Sequence, residues 1–171
     1  MSLKTKKDIL LATIFTKNPA FVELWARSAP IIENTTVPWT QVLANPFEGP
    51  VALVTTAGVH MRCQKPFDMD DPEGDCTFRQ IPSSSSPEEL TVTHNYYDRR
   101  DADEDINVVF PLERLSDLQQ EGLVGRVAPR HFSFMGHITG RQLTRLIEKE
   151  APAVASNLEK DGVRAVFLTP A

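Results

Sequence analysis

Four side chains that could do chemistry follow directly after a strongly apolar segment. Residues 51–54 form an uninterrupted apolar run, which is typical of a strand buried on both faces. Residues 55–58 are small and let the main chain turn sharply or approach a ligand closely. Just beyond them lie an imidazole, a thiol and two cations, those of His60, Arg62, Cys63 and Lys65. Because ligands in open α/β sheets bind past the carboxyl ends of strands, we predict a functional site here, with an ordinary surface loop as the alternative.

Two later segments have the same character. The strand-like residues 90–94 end at His94 and lead into a polar and aromatic stretch, residues 94–98. A weaker strand over residues 124–128 leads into residues 129–136, which contain His131. Imidazoles that follow strands in this way are candidates for proton transfer, so we predict that these segments share one site with residues 55–65.

Other kinds of site have weaker support in the sequence. Cys63 and Cys76 could form a redox pair or, with His60 and His94, a metal site, but their spacing is not a zinc signature. We therefore predict no metal and interpret the cysteines as structural or surface thiols. A serine-hydrolase pairing of His131 with Ser133 has no acid fixed by spacing. No glycine-rich phosphate-binding motif is present, so no nucleotide cofactor is predicted.

The composition excludes several classes of partner. The chain has 171 residues, a net charge of −5 and no basic cluster, which argues against nucleic acid or an anionic membrane as the main partner. No run approaches the ~18 apolar residues of a membrane span. Two cysteines are too few for a disulfide scaffold in a chain of this length. We predict a cytoplasmic protein.

The first 49 residues are predicted to form an N-terminal helical arm and a connection. Residues 3–15 could form a short helix, and Asn18 before Pro19 is a good cap for a second one. The prolines between residues 30 and 50 indicate an irregular connection. Such an arm either covers its own sheet or reaches a neighbouring subunit, which would make a homo-oligomer.

Residues 50–171 are predicted to form an α/β domain. A long loop over residues 61–87 is typical of a binding loop, a lid or disorder. Residues 106–110 could be a short strand or an extended lead-in, and Pro111 opens a helix that ends near Gly122. Thr139 caps a helix that Pro152 interrupts, and residues 163–168 form a second strand of the buried type. This alternation predicts a three-layer, mainly parallel sheet of Rossmann or flavodoxin type.

Several longer segments carry a family resemblance. They are Val-Thr-Thr-Ala-Gly-Val-His at 54–60, Gln-x-Pro-Phe-Asp at 64–68, Gly-Asp-x-x-Phe-Arg-x-Ile-Pro at 74–82, His-x-x-Tyr-Asp at 94–98, Asn-Val-Val-Phe-Pro at 107–111 with Arg-Leu at 114–115, His-Phe-Ser-Phe-Met-Gly at 131–136, and Asp-Gly at 161–162 through Thr-Pro at 169–170. With these, the chain resembles the selenoprotein B component of the glycine, sarcosine, betaine and D-proline reductases, and most closely the D-proline-reductase-like branch.

The resemblance implies an oxidoreductase that cleaves a C–N bond of a small amino acid or its N-methylated relative with the help of partner reductase subunits. The family's selenocysteine, or a cysteine in its place, lies two positions past the Thr-Pro that ends the last strand. Counted from Thr169 and Pro170, that residue would be at position 172. We therefore expect a C-terminally truncated chain, ended at a UGA codon that is read as selenocysteine and inactive as it stands.

Residue chemistry suggests roles for the side chains in the matching segments. A guanidinium group binds a carboxylate through paired hydrogen bonds, so arginines are expected to hold the substrate. Imidazoles are expected to transfer a proton to the leaving amine. The expected substrate-binding residues are Gly58, Arg62, Arg79 and Arg130, and the expected catalytic residues are His60, His94 and His131.

Two other functions stay open at this point. The chain could be a non-catalytic α/β protein that binds a small carboxylate or a partner subunit. It could also be an isomerase or racemase, which would need Cys63 and Cys76 to face one pocket.

Overall fold

The computed structural model describes residues 7, 10–11, 13–14, 17–28, 39–42 and 45–170. They fall into two compact units, one covering Met1–Asn45 with Asn95–Asp98 and the other covering Pro46–His94 with Arg99–Ala171. The boundary between residues 49 and 50 stays a prediction. None of the described helices is long and apolar enough to cross a lipid bilayer.

The first unit contains the helix that Asn18 was expected to cap. Helix α1 spans Pro19–Ser28, and the Asn18 side-chain oxygen accepts a hydrogen bond from the Ala20 N–H at 3.2 Å. This contact satisfies one of the amide groups that a helix leaves unpaired at its start. The predicted helix over residues 3–15 lies largely outside the described residues.

The second unit combines strands and helices. The strands are β1 (Pro50–Thr55), β2 (Val59–Met61), β3 (Arg79–Pro82), β4 (Leu90–Val92), β5 (Arg126–Val127), β6 (Arg130–Ser133) and β7 (Ala165–Thr169). The α-helices are α2 (Arg100–Glu104), α3 (Leu112–Gln120), α4 (Gly140–Arg145) and α5 (Ala151–Lys160). A π-helical segment, Leu146–Glu150, joins α4 to α5 because Pro152 has no N–H with which to continue the regular helix.

Strand β1 is the centre of the main sheet. Strand β7 runs parallel to one side of it, from Val51 opposite Ala165 to Thr55 opposite Thr169. Strands β5 and β6 follow one another along its other side, also parallel, and β3 closes that end antiparallel to β6. The predicted α/β fold with a mainly parallel sheet is confirmed; the three-layer, flavodoxin-like arrangement stays a prediction.

The two faces of β1 have different coverings. On one face, Phe132, Phe134 and Val154 form a buried apolar cluster against which Val54 and Leu158 pack. On the opposite face, the ring of Phe110 meets the ring of His131 edge to face, with centroids 5.9 Å apart. Residues 51–53 are completely buried, as the apolar run at this position predicted.

A second, two-stranded sheet lies beside the carboxyl end of β1. In it, β2 pairs antiparallel with β4, and Val59 lies opposite Val92. The turn between β1 and β2 fixes its position, because Gly58 accepts from the Thr93 N–H and donates to the Phe134 carbonyl, both at 2.9 Å. The segments that carry residues 58, 94 and 134 are therefore neighbours.

Three expectations about local structure were wrong. Residues 106–108 form a 3₁₀ turn rather than a strand, because the Asp105 carboxylate accepts from the Asn107 N–H and caps the turn. The long loop over residues 61–87 was expected to have no regular structure, but it contains a strand, β3, and is held by many hydrogen bonds; its role as a binding loop stays a prediction. The third is β7, which was expected to be buried and is instead exposed at the edge of the sheet that the described residues form.

We predict that Gly58 tolerates no side chain, and a second glycine provides a matched control. Gly58 (φ +72°) and Gly122 (φ +75°) are both left-handed, but a Cβ on Gly58 would lie 2.4 Å from the Thr93 carbonyl oxygen, whereas one on Gly122 meets nothing within 4 Å. Gly122→Ala should therefore lower the free energy of unfolding by about 1–2 kcal/mol through strain alone. Gly58→Ala should cost about 1–3 kcal/mol more through overpacking.

Urea unfolding of the two variants measures this difference. Equal losses of stability would contradict the close approach of Gly58 to β4.

Candidate functional site

The carboxyl ends of β1, β6 and β7 meet at one place. Thr55 lies opposite both Ser133 and Thr169, and the Thr56 N–H donates to the Thr169 carbonyl at 3.1 Å. We call the region formed by residues 55–58, 133–136 and 169 the carboxyl edge. In sheets of this kind it is the part that holds ligands.

Two threonine hydroxyls fix a loop over the carboxyl edge. The Thr169 hydroxyl donates to the Val109 carbonyl at 2.8 Å, and the Thr55 hydroxyl lies 3.0 Å from the carbonyl oxygens of both Val109 and Thr169. The Ala57 N–H donates to the Thr55 hydroxyl in turn. These threonines were not among the predicted site residues, although small hydroxyl residues at the ends of two strands are a visible signal in the sequence.

His94 lies at the carboxyl edge. Its Nε2 accepts a hydrogen bond from the Gly136 N–H at 3.2 Å, so the neutral ring carries its proton on Nδ1. The side chain is buried, and this burial, with a smaller effect from the nearby His137, lowers the pKa of His94 to about 4. The imidazole is therefore neutral at pH 7 and holds the main chain just beyond β6.

His60 joins β2 to β4. Its Nδ1 lies 2.8 Å from the Met61 carbonyl, to which it donates, and its Nε2 lies 2.8 Å from the Thr93 hydroxyl, from which it accepts. Burial lowers the pKa of His60 below its ordinary value, and the charges of Arg79 and Arg62 act in the same direction. Both ring nitrogens thus already have partners within the fold.

His131 takes the place of a main-chain acceptor inside the sheet. Its Nδ1 accepts from the Leu53 N–H at 2.9 Å, between the part of β1 that pairs with β5 and the part that pairs with β6. The ring is fully buried, and its Nε2 has no partner among the described residues. Burial lowers the pKa of His131 to about 4. The structure places this residue in the middle of β6 rather than at its carboxyl end.

Each of the three predicted arginines has its own partners. Arg79 uses its guanidinium to bind Asp75, Thr77 and the carbonyls of residues 65, 66 and 78. Arg130, at the amino end of β6, forms a two-point ion pair with Asp161 at 2.6 and 3.0 Å. Arg62 donates through Nε to the Glu88 carbonyl and lines an otherwise acidic cavity of about 280 Å³.

The two cysteines are in different environments. Cys63 is exposed, whereas Cys76 is buried and its Sγ donates to the Gln142 side-chain oxygen at 2.9 Å. Burial raises the pKa of the Cys76 thiol, so it stays protonated and unreactive at neutral pH. Within the described part of the chain, no three His, Cys, Asp or Glu residues are arranged to hold a metal ion.

A second cavity, which the sequence did not indicate, lies between the loop after β2 and helix α4. It has a volume of about 390 Å³, and its lining includes Lys65, Asp68, Arg79 and Arg145. Arg145 uses Nε and Nη2 to bind Glu150, which leaves Nη1 without a partner among the described residues. Lys65 likewise pairs with no described acid. No local spacing links residues 65 and 145, because only the fold brings them together.

The comparisons with known proteins identify the family of the chain. The family model described as "Glycine/sarcosine/betaine reductase selenoprotein B (GRDB)" matches residues 23–171, which include all of the carboxyl edge. The chain belongs to this family. The resemblance stated from the sequence motifs is thereby confirmed. No solved structure matches the chain significantly.

Two curated members of the reductase families are similar to the chain. The D-proline reductase subunit gamma of Acetoanaerobium sticklandii is 39% identical over 131 residues, which are 77% of this chain and 52% of that protein. The sarcosine reductase complex component B subunit beta of Peptoclostridium acidaminophilum is 35% identical over 86 residues, 50% of this chain and 19% of that protein. The chain thus spans about half the length of the first relative and a fifth of the second.

The lowered histidine pKa values predict a loss of stability in mild acid. Below pH 6.5 the unfolded chain binds protons that His94 and His131 in the folded chain do not bind until the pH is about 4. The free energy of unfolding should therefore fall on the order of 1–2 kcal/mol for each of these histidines between pH 6.5 and 5.

Urea unfolding at several pH values between 7.5 and 5 measures this slope. His131→Gln should make the slope shallower, and the exposed substitution Lys149→Gln should not. A free energy of unfolding that stays constant over this range would contradict the neutral, buried state of both imidazoles.

Proposed function

We propose that the carboxyl edge of this chain forms part of the active site in a selenoprotein B-type reductase subunit. Such a subunit cleaves a C–N bond of a small amino acid. The observation that carries this proposal is the family match over residues 23–171. The names of the two relatives support it, since both are subunits of amino-acid reductases. The proposal includes a cytoplasmic location, partner reductase subunits and no nucleic-acid or membrane partner.

The proposed reaction needs a nucleophile and a reductant. The C–N bond is replaced by a C–H bond and the released amine gains an N–H, while a dithiol supplies two electrons and two protons and becomes a disulfide. The selenocysteine or cysteine proposed at position 172 would supply the nucleophile as its anion. The fold supports this position, because Thr169 is held against Thr55 at the carboxyl edge.

The chain's own contribution is to shape the space beside that nucleophile. His94 holds the Gly136 amide in place at the carboxyl edge, whereas the space beside Gly58 is filled by the Thr93 carbonyl. We therefore propose proton handling for His94, and the substrate-binding role of Gly58 stays a prediction. The roles proposed for His60, His131, Arg62, Arg79 and Arg130 stay predictions, since their partners among the described residues lie away from the carboxyl edge or inside the sheet.

An activity assay with a dithiol tests the proposal. The chain of residues 1–171 should not convert glycine, sarcosine, betaine or D-proline, and turnover should appear when the polypeptide is extended in the family's frame with cysteine or selenocysteine at position 172. In the active protein, His94→Gln should lower kcat more than about tenfold, because proton handling contributes about 10²–10⁴-fold. Lys149→Gln, at an exposed site, is the control.

Two results would contradict this function. The first is an extended protein that converts none of the four substrates with any dithiol. The second is a codon after that of Ala171 that is neither UGA nor one of the cysteine codons UGC and UGU, because the proposed position would then hold neither selenocysteine nor cysteine.

A second function, the binding of a small carboxylate without catalysis, is favoured by the cavity between Lys65 and Arg145. The Lys65 ammonium and the Arg145 Nη1 are cationic donors on one concave surface, and Asp68 on the same lining could accept from an ammonium group. These groups match the two charges of an amino-acid zwitterion. The racemase alternative has no such support, because Cys63 is exposed and Cys76 is buried.

Calorimetric titration with acetate, glycine and D-proline tests this second function. Binding should be weakened at least about tenfold by Lys65→Gln, since one charge-assisted hydrogen bond contributes about 1.5–3 kcal/mol. Lys149→Gln, which removes a lysine outside the cavity, should leave the affinity unchanged. Equal affinities of the wild-type chain and Lys65→Gln would exclude this cavity as the carboxylate site.

A further inference from the structure

Strand β7 is an edge strand with an unusually apolar surface. It pairs with β1 on one side, and no described strand pairs with its other side. The exposed fractions of Val166, Phe167 and Leu168 are 37%, 39% and 74%. Phe47, itself partly exposed, stacks on Phe167 with ring centroids 5.9 Å apart and extends the apolar surface.

The other edge of the same sheet is very different. Strand β3 reads Arg-Gln-Ile-Pro, and Pro82 and Arg79 are residues with which proteins protect an exposed edge from pairing with another chain. Strand β7 reads Ala-Val-Phe-Leu-Thr and contains no charge, proline or bulge. This composition is typical of a strand buried on both faces in the interior of a parallel sheet.

The main chain of β7 also presents N–H and carbonyl groups with which a further strand can pair. In a parallel ladder alternate residues bond to opposite sides. The Thr169 carbonyl accepts from the Thr56 N–H, so residues 165, 167 and 169 bond toward β1. The N–H and carbonyl groups of Val166 and Leu168 therefore face the free edge, where they form a row that another strand can pair with.

We propose that the free edge of β7 pairs with a further parallel β-strand. This strand would belong to polypeptide that corresponds to the unmatched part of the D-proline reductase gamma subunit. The matched region is 52% of that relative, so enough chain remains for further strand and helix units. A parallel strand needs a crossover connection, usually a helix, and that helix would cover Val166 and Leu168 on the face they share with Val54. The inference rests on the family membership and deepens the proposed function.

A binding experiment with two separate polypeptides tests the inference. The probe is the unmatched part of the A. sticklandii subunit, expressed by itself with any selenocysteine replaced by cysteine, and it is titrated against residues 1–171. The wild-type chain should bind it. Leu168→Pro removes an outward N–H and the leucine side chain on the covered face, and it should weaken binding at least about tenfold, the effect of one or two lost interactions.

Two further variants complete the design. Val166→Lys places a charge on the covered face and should also weaken binding, which keeps the test informative where Leu168→Pro disturbs folding. Ile147→Lys changes an apolar side chain that is 63% exposed on the π-helical segment, and it should bind the probe within about twofold of the wild type. Thermal unfolding of each variant identifies any that fails to fold.

Several outcomes would overturn the inference. They are a wild-type chain that does not bind the probe, folded β7 variants that bind as well as the wild type, and self-association of the chain that Leu168→Pro abolishes, which would identify a second copy as the occupant. Because the measurement is of binding, a reductase assay without turnover would leave its result unaffected.

Discussion

Strand β1 is buried, so its main-chain groups have to find partners within the protein. On one side β7 supplies them along the whole strand. On the other side the partners come from three sources: the Ala128 N–H binds the Val51 carbonyl, the Phe134 N–H binds the Thr55 carbonyl, and between them the His131 ring accepts from the Leu53 N–H. A side chain thus completes the ladder where β5 gives way to β6, and it can do so only while its Nδ1 carries no proton.

The same constraint determines where the strands end. Because β6 and β7 both stay in register with β1 up to Thr55, all three carboxyl ends reach one level. Beyond it the small residues 56–58 let the chain pass close to β4, with the Gly58 amide and carbonyl bound to Phe134 and Thr93. The hydroxyls of Thr55 and Thr169 donate to the Val109 carbonyl and so hold the loop that contains Val109 against this region. The position of the candidate site follows from the pairing of a single strand.

The sequence predicted those parts of the fold that depend on local chemistry. Asn18 before Pro19, the apolar run at residues 51–54 and the interruption at Pro152 each act within a few residues, and each has the expected effect. The failures concern contacts between distant segments. Nothing near His131 shows that its ring binds Leu53, and nothing near Lys65 places it beside Arg145. The prediction for strand β7 failed for another reason. Its apolar composition is typical of a buried strand, but no described strand covers its outer edge.

The chemistry of the carboxyl edge bears on why selenium would be used there. The polar groups that form it are the hydroxyls of three threonines and one serine, main-chain amides and carbonyls and the neutral imidazole of His94, none of which carries a formal charge. Such surroundings favour the protonated form of a thiol, as the raised pKa of the buried Cys76 illustrates. A selenol is the stronger acid and remains an anion where a thiol does not. In the proposed function, an edge built from neutral groups therefore favours selenocysteine over cysteine at position 172, because the selenol ionises without help from a neighbouring cation.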